Sequence, residues 1–348
     1  MQALDDILHY ARVNGFSDVH LGGLENIMVR QNGILIPYEH QYTADDIVVM
    51  IESMLNEQQL DDLHAGHDID MVYVEGENRY RVNVYKERGH ICAALRVIYE
   101  RIRSLNELGL PPVLDKITKA PRGLVLLTGP TGSGKSTTLA AMINEVNHNR
   151  KCHILTIEDP IEYVYRQDKA LIHQREINFD VDSFDTALRS AMREDPDVIL
   201  VGEMRDYETI QAVMTLAETG HLVFSTLHTI GAAKTIDRII DVFPPHKQEQ
   251  IRTQLSGVLN AVVTQQLIPT IDGNSRVAAL EVMMVTPAIE NLIRENKGHQ
   301  INSIIQMGSS VGMQSLNMSL ASLVRQGKIS REMALQYTDS PSELQTMI

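Results

Sequence analysis

The sequence is poor in three features that would each have decided its class. Two cysteines, Cys92 and Cys152, are too few for a disulfide framework or a four-cysteine zinc site, so we expect two reduced thiols. No apolar run approaches the ~18 residues that a membrane span needs. A positive balance is also lacking, since the 348 residues carry a net charge of −14. That charge argues against nucleic acid as a partner of the whole chain.

The first residues resemble no targeting segment. Asp5, Asp6, His9 and Arg12 interrupt the apolar positions there, which fits neither a signal peptide nor a transit peptide. We therefore expect a cytoplasmic protein that meets a membrane only through partners. The length allows two domains.

The first hundred residues predict a mixed α+β domain. Residues 3–13 and 44–63 show helical spacing of apolar residues. Short alternating runs predict strands at residues 19–21, 27–30, 34–36, 71–75, 80–85 and 91–98. Prolines then predict a linker over residues 101–112, before a second domain over 113–348.

The second domain has a different pattern of apolar residues. Continuous apolar runs, separated by helical stretches, occur at residues 123–128, 154–157, 198–201 and 222–226. Such runs are typical of a parallel sheet that is covered on both faces, so we predict an α/β fold.

A phosphate-binding loop follows the first of these strands. Residues 129–136 match G-x-x-x-x-G-K-[ST] in full, between an apolar strand and an alanine-rich helix. Backbone N–H groups of such a loop cradle phosphates, Lys135 reaches the β- and γ-phosphates, and the Ser136 hydroxyl binds Mg²⁺. The predicted ATP-binding residues are Gly129, Pro130, Thr131, Gly132, Ser133, Gly134, Lys135, Ser136 and Thr137.

Carboxylates follow two of the other apolar strands. Glu203 ends the strand at residues 198–201, where a metal ligand beside the phosphate loop is expected. Glu158, Asp159 and Glu162 follow the strand at residues 154–157. One of the three could polarise the attacking water as general base, and Glu162 is our preferred candidate, although spacing alone does not choose among them.

Four boxes in order give the chain a family resemblance. They are the phosphate loop, the acidic box at residues 156–162, the run at residues 193–206 that contains Glu203, and the histidine-containing run at residues 220–229. With them, the sequence resembles the secretion-type ATPases of type IV pili and type II secretion, over nearly the whole chain. It looks most similar to the pilus retraction motors within that family.

The resemblance implies an architecture and a set of roles. It implies a homohexameric ring of RecA-like domains, each preceded by a PAS-like domain, that uses ATP and Mg²⁺ and works on an inner-membrane pilus platform protein. Glu162 then resembles the catalytic glutamate, Glu203 the Walker B residue and metal ligand, and His228 a sensor of nucleotide state. Arg81 and Arg96 resemble the N-domain arginines that approach the γ-phosphate, and two such forked donors suit a polyphosphate.

Retraction is favoured over related functions by three observations. The sequence shows neither the large extra N-terminal domain of assembly ATPases nor a tetracysteine insertion, and residues 288–295 resemble a C-terminal helix motif of retraction motors. Glu290 stands where that motif has an arginine. The alternatives are a related secretion or conjugation motor, a RecA-like translocase of nucleic acid, and a regulator that binds ATP without hydrolysing it.

Overall fold

The computed structural model describes residues 2–22, 27–31, 33–76, 78–98 and 101–348. Contacts divide the chain into two compact units, Met1–Arg101 and Ile102–Ile348. Each unit folds around its own apolar interior.

The first unit is an antiparallel sheet with helices packed on one face. Its helices are α1 (Gln2–Val13), α2 (Ala44–Glu52) and α3 (Glu57–His64). Its strands are β1 (Asp18–Leu21), β2 (Met28–Gln31), β3 (Ile34–Pro37), β4 (Ile69–Glu75), β5 (Asn78–Glu87) and β6 (His90–Ile98), in the spatial order β3-β2-β1-β6-β5-β4. The mixed α+β prediction is confirmed, whereas the PAS-like assignment stays a prediction.

Alternation along the strands gives this sheet one covered and one open face. Val82 and Leu95 are fully buried against the helices. Because successive side chains of a strand point to opposite faces, Arg81 and Arg96 lie on the open face. Arg81 is half-buried and Arg96 is exposed.

The helix predicted over residues 44–63 is two helices, α2 and α3. The second begins because Asn56 and Gln59 form a capping box, in which each side chain accepts a hydrogen bond from the other residue's backbone N–H at 2.9 Å. This local signal outweighs the apolar spacing that continues across the break.

The second unit is built on a seven-stranded sheet. Its strands are β7 (Gly123–Thr128), β8 (His153–Glu158), β9 (Leu171–Glu176), β10 (Val198–Val201), β11 (Leu222–Leu227), β12 (Leu259–Pro269) and β13 (Arg276–Met284). The spatial order is β13-β12-β7-β11-β10-β8-β9, and all neighbours pair in parallel except β12 and β13. Strands β9, β12 and β13 were not predicted, since β9 is largely polar and β12 follows a helix without a turn signal.

Helices surround this sheet. They are α4 (Val113–Thr118), α5 (Lys135–Asn149), α6 (Phe184–Ala191), α7 (Tyr207–Glu218), α8 (Ala232–Asp241), α9 (Gln248–Val258), α10 (Pro287–Arg294), α11 (Ile301–Met307), α12 (Leu316–Arg325), α13 (Arg331–Gln336) and α14 (Pro341–Met347). In the described part of the chain, no helix is long and apolar enough to cross a membrane.

The two faces of the central sheet are buried in separate clusters. Leu124 and Leu126 of β7 pack with residues of α7, α8 and α9, whereas Val125 and Leu127 pack with residues of α5. Burial on both faces explains why these strands are continuously apolar, and it confirms the predicted α/β fold.

The segment predicted as a linker packs with the second unit. Leu105 and Leu110 are each 6% exposed and belong to the same buried cluster as Val125. Residues 102–112 therefore group with the second compact unit.

Candidate active site

The phosphate loop joins β7 to α5, where only glycine fits at its tightest points. Gly129 has φ 138°, and a Cβ there would lie 2.2 Å from the backbone oxygen of Gln265. Gly134 caps α5 with φ 83°. The loop therefore passes close against β12 and leads directly into the N-terminus of α5, an end of a helix that stabilises anions. Pro130, Thr131 and Gly132 are exposed, and Ser136 and Thr137 are half-buried at the start of α5.

Lys135 lies across the loop that precedes it. Its Nζ donates to the carbonyl oxygens of Gly129, at 2.8 Å, and Pro130, at 3.0 Å. Burial lowers the pKa of Lys135, and the nearby carboxylates of Glu203 and Glu162 oppose that shift. The structure thus brings the predicted lysine together with both predicted carboxylates, which come from different strand ends.

Glu203, just after β10, is held between two basic side chains. Its side chain is 14% exposed, with Oε1 2.5 Å from Arg205 and Oε2 3.4 Å from His228 Nε2. His228 follows β11, the strand beside β10. Hence Glu203 and His228, two of the predicted site residues, lie in contact with each other. The pairing with Arg205 was not predicted, although an arginine two residues from a strand-end carboxylate was a visible signal.

The carboxylates of the acidic box after β8 differ in their exposure to solvent. Glu158 is 8% exposed, and burial raises its pKa to about 7, against which a hydrogen bond from Gln174 acts. Glu162 is exposed to solvent, and its charge reaches Lys135. A general base has to meet water, so the geometry favours Glu162 over the buried Glu158.

Two tethers that the sequence did not reveal hold these loops. Gln265 of β12 is 2% exposed, and its amide donates to the Ser133 carbonyl at 2.8 Å while accepting from Thr138 Oγ1 at 2.7 Å. The hydroxyls of Thr137 and Tyr163 lie 2.8 Å apart, which joins α5 to the acidic box. For the first tether, the signal in the sequence was a glutamine among the apolar residues of the segment that forms β12.

In the first unit, Arg81 and Arg96 are direct neighbours. They face each other across the β5–β6 pair, on the open face of the sheet. Like charges directly opposite each other on one face of a sheet are destabilising, so an anion near both side chains would be stabilised there.

The helix motif at residues 288–295 forms α10 in the second unit. Ile289 and Ile293 are buried, and Leu292 is partly buried against the same cluster. Ala288 is exposed, and Glu290 is half-buried.

A phosphate loop and two strand-end carboxylates at one edge of a parallel sheet define the class: the chain is a P-loop ATPase. The family description "Type II/IV secretion system protein" matches residues 1–310. The chain belongs to this family.

Three similar proteins cover most of the chain. A "Twitching motility protein" of Neisseria gonorrhoeae is 52% identical over 84% of this chain and 79% of its own length. The "Type IV pilus retractation ATPase PilT" of Pseudomonas aeruginosa is 47% identical over 97% of this chain and 98% of its own. A crystal structure of the pilus retraction motor PilT with bound ADP matches with a TM-score of 0.90, at 43% identity, and covers 98% of each chain.

Proposed function

We propose that this chain powers type IV pilus retraction, and hence twitching motility, by hydrolysing ATP in a homohexamer that depolymerises the pilus at the inner membrane. The observation that carries the proposal is end-to-end similarity at 47% identity to a pilus retraction ATPase. The partner is an inner-membrane platform protein, and the chain itself stays on the cytoplasmic side.

Mg²⁺ is the metal that the donor set fits. Ser136 and Glu203 would hold the ion with hard oxygen ligands. Among the described residues, no group of three His, Cys, Asp or Glu side chains could hold a metal by itself. Mg²⁺ typically keeps several waters and binds one or two protein oxygens together with substrate phosphates, and it would neutralise phosphate charge during transfer.

The chain's own residues divide the chemistry. Lys135 and the loop N–H groups bind the phosphates, and Glu162 orients the attacking water and takes its proton. His228 reads the state of the site through its contact with Glu203. Arg81 and Arg96 bind the γ-phosphate, so their contact is lost on hydrolysis, and that difference in affinity drives domain motion.

The enzymatic part is tested by steady-state phosphate release from the purified full-length protein. Glu162→Gln should lower kcat by at least about 100-fold with ADP affinity retained, because it removes a base and not a binding group. Asp159→Asn, which changes the other exposed carboxylate of the same box, is the matched control and should keep most of the turnover. The reverse pattern would reassign the base.

The biological part is tested by deleting the gene. Loss of twitching with surplus surface pili supports retraction, whereas loss of effector export would point to a secretion motor. Nucleic-acid-stimulated turnover with a steep salt dependence would instead indicate a translocase.

A further inference from the structure

A row of charged side chains crosses four strands of the first unit. The strand registers place Arg30 opposite Asp18, Asp18 opposite Arg96, and Arg96 opposite Arg81, along β2, β1, β6 and β5. Direct cross-strand partners lie on the same face, about 5 Å apart at Cβ. Asp18 is thus the one anion in a row with three arginines, and it adjoins the arginine that is central to the proposed function.

Both oxygens of the Asp18 carboxylate accept a hydrogen bond. Its Oδ1 accepts from Arg96 Nε at 3.0 Å, and its Oδ2 accepts from the Ser17 hydroxyl at 2.8 Å. The Arg30 Nε lies 3.7 Å from the same Oδ2. Because several donors contact it, the Asp18 carboxylate has little rotational freedom. It therefore restricts the orientation of the Arg96 guanidinium.

Exposure is unequal across the Asp18–Arg96 pair. The Asp18 side chain is 14% exposed, whereas the Arg96 side chain is 67% exposed. This contact uses Nε, at the side of the guanidinium, so it does not occupy the two Nη groups, which can donate to a phosphate. Asp18 therefore holds Arg96 through one of its donors and leaves the two Nη groups out of that contact.

We propose that Asp18 is a positioning residue that presents Arg96 to the γ-phosphate. The inference rests on the proposed function, in which Arg96 makes that contact. Without Asp18, the repulsion between the neighbouring Arg81 and Arg96 is not offset, and the long Arg96 side chain has to be ordered when ATP binds. Asp18 thereby sets the preference for ATP over ADP.

The test uses the full-length chain with Asp18→Asn, which keeps the shape and removes the charge. The affinity for a non-hydrolysable ATP analogue should fall about tenfold, the scale of one charge-assisted hydrogen bond, while the affinity for ADP stays unchanged. General unfolding would weaken both nucleotides alike. The control is Asp70→Asn on β4, whose carboxylate accepts from Asn83 at 3.1 Å on the same sheet and is not part of the row.

A double-mutant cycle links the effect to Arg96. Arg96→Ala should weaken the analogue at least as much, and Asp18→Asn should add nothing in the Arg96→Ala background. If Asp18→Asn lowers the melting temperature sharply, Ser17→Ala replaces it, since that change removes the hydroxyl donor to Oδ2 and keeps the carboxylate. We expect it to weaken the analogue about two- to threefold, with ADP affinity constant.

The outcomes distinguish a failure of the Asp18 proposal from a failure of the proposed contact between Arg96 and the γ-phosphate. If Arg96→Ala weakens the analogue and Asp18→Asn does not, Asp18 has no positioning role and the proposed function stands. Additive effects of the two changes would equally exclude action through Arg96. If Arg96→Ala leaves the analogue affinity at the wild-type value, both the γ-phosphate contact and the role of Asp18 are overturned.

Discussion

Gln265 gives the most direct test of how the phosphate loop is held. Gln265→Leu keeps roughly the volume of the side chain and removes both hydrogen bonds. The Ser133 carbonyl and the Thr138 hydroxyl, each within residues no more than 3% exposed, then lose their partner inside the protein. A buried polar group left unpaired costs about 1–3 kcal/mol, so the two together cost about 2–6 kcal/mol.

Part of that cost falls on nucleotide binding, because Ser133 belongs to the loop. If one of the two penalties, about 1–3 kcal/mol, has to be met in the bound conformation, ADP affinity falls about 5- to 150-fold. Titration with a fluorescent ADP measures the affinity, and urea unfolding measures the stability. Thr138→Val, which removes one of the bonds, should show a smaller loss that does not add to that of Gln265→Leu.

The neighbouring residue supplies the control. Gln266 lies on the opposite face of β12 and is half-buried, so Gln266→Leu makes the same chemical change away from the loop. It should leave ADP affinity within about twofold, in line with ordinary changes outside such networks. Wild-type affinity and an unchanged unfolding midpoint for Gln265→Leu would refute the tether.

Three further predictions concern the same unit. Burial raises the pKa of Glu158 from 4.5 to about 7, so the folded state holds a proton that the unfolded state releases, and stability falls as pH rises from about 4.5 to 7. Glu158→Gln should remove up to about 3 kcal/mol of that pH dependence in urea unfolding at pH 5 and pH 8, and parallel profiles would contradict the burial argument. Tyr163→Phe, which breaks the contact with Thr137, should lower kcat more than it changes ADP affinity, and an equal loss in both would mean that it only supports binding. Gly129→Ala should weaken ADP at least about tenfold, because its Cβ would meet the Gln265 backbone, while Gly257→Ala, with open space at its Cβ, should not.

The sequence predicted those parts of the fold that depend on local patterns. Doubly covered strands are continuously apolar, so β7, β8, β10 and β11 were identified, and the loop from Gly129 follows directly from its spacing. Strand β12 was not predicted, because no turn separates it from α9.

The contacts within the candidate site could not be predicted from the sequence to the same extent. Gln265 reaches the loop across 132 positions, and only the pairing of β12 with β7 brings it there. The choice between Glu158 and Glu162 depends on which of them is buried, and identical side chains in one short box carry no such information. The row of Arg30, Asp18 and Arg96 likewise exists only once the strand register is known.

The tether from β12 also has a consequence for the making of the protein. Thr128 bonds Thr264 across 136 positions, and Thr138 bonds Gln265 across 127. At about 5–20 residues per second, a ribosome needs about 6–25 s to add those 127 residues. During that interval the nascent chain carries a complete phosphate-loop sequence without the strand that shapes it. The loop can therefore take the conformation described above only after β12 has been made and has paired with β7.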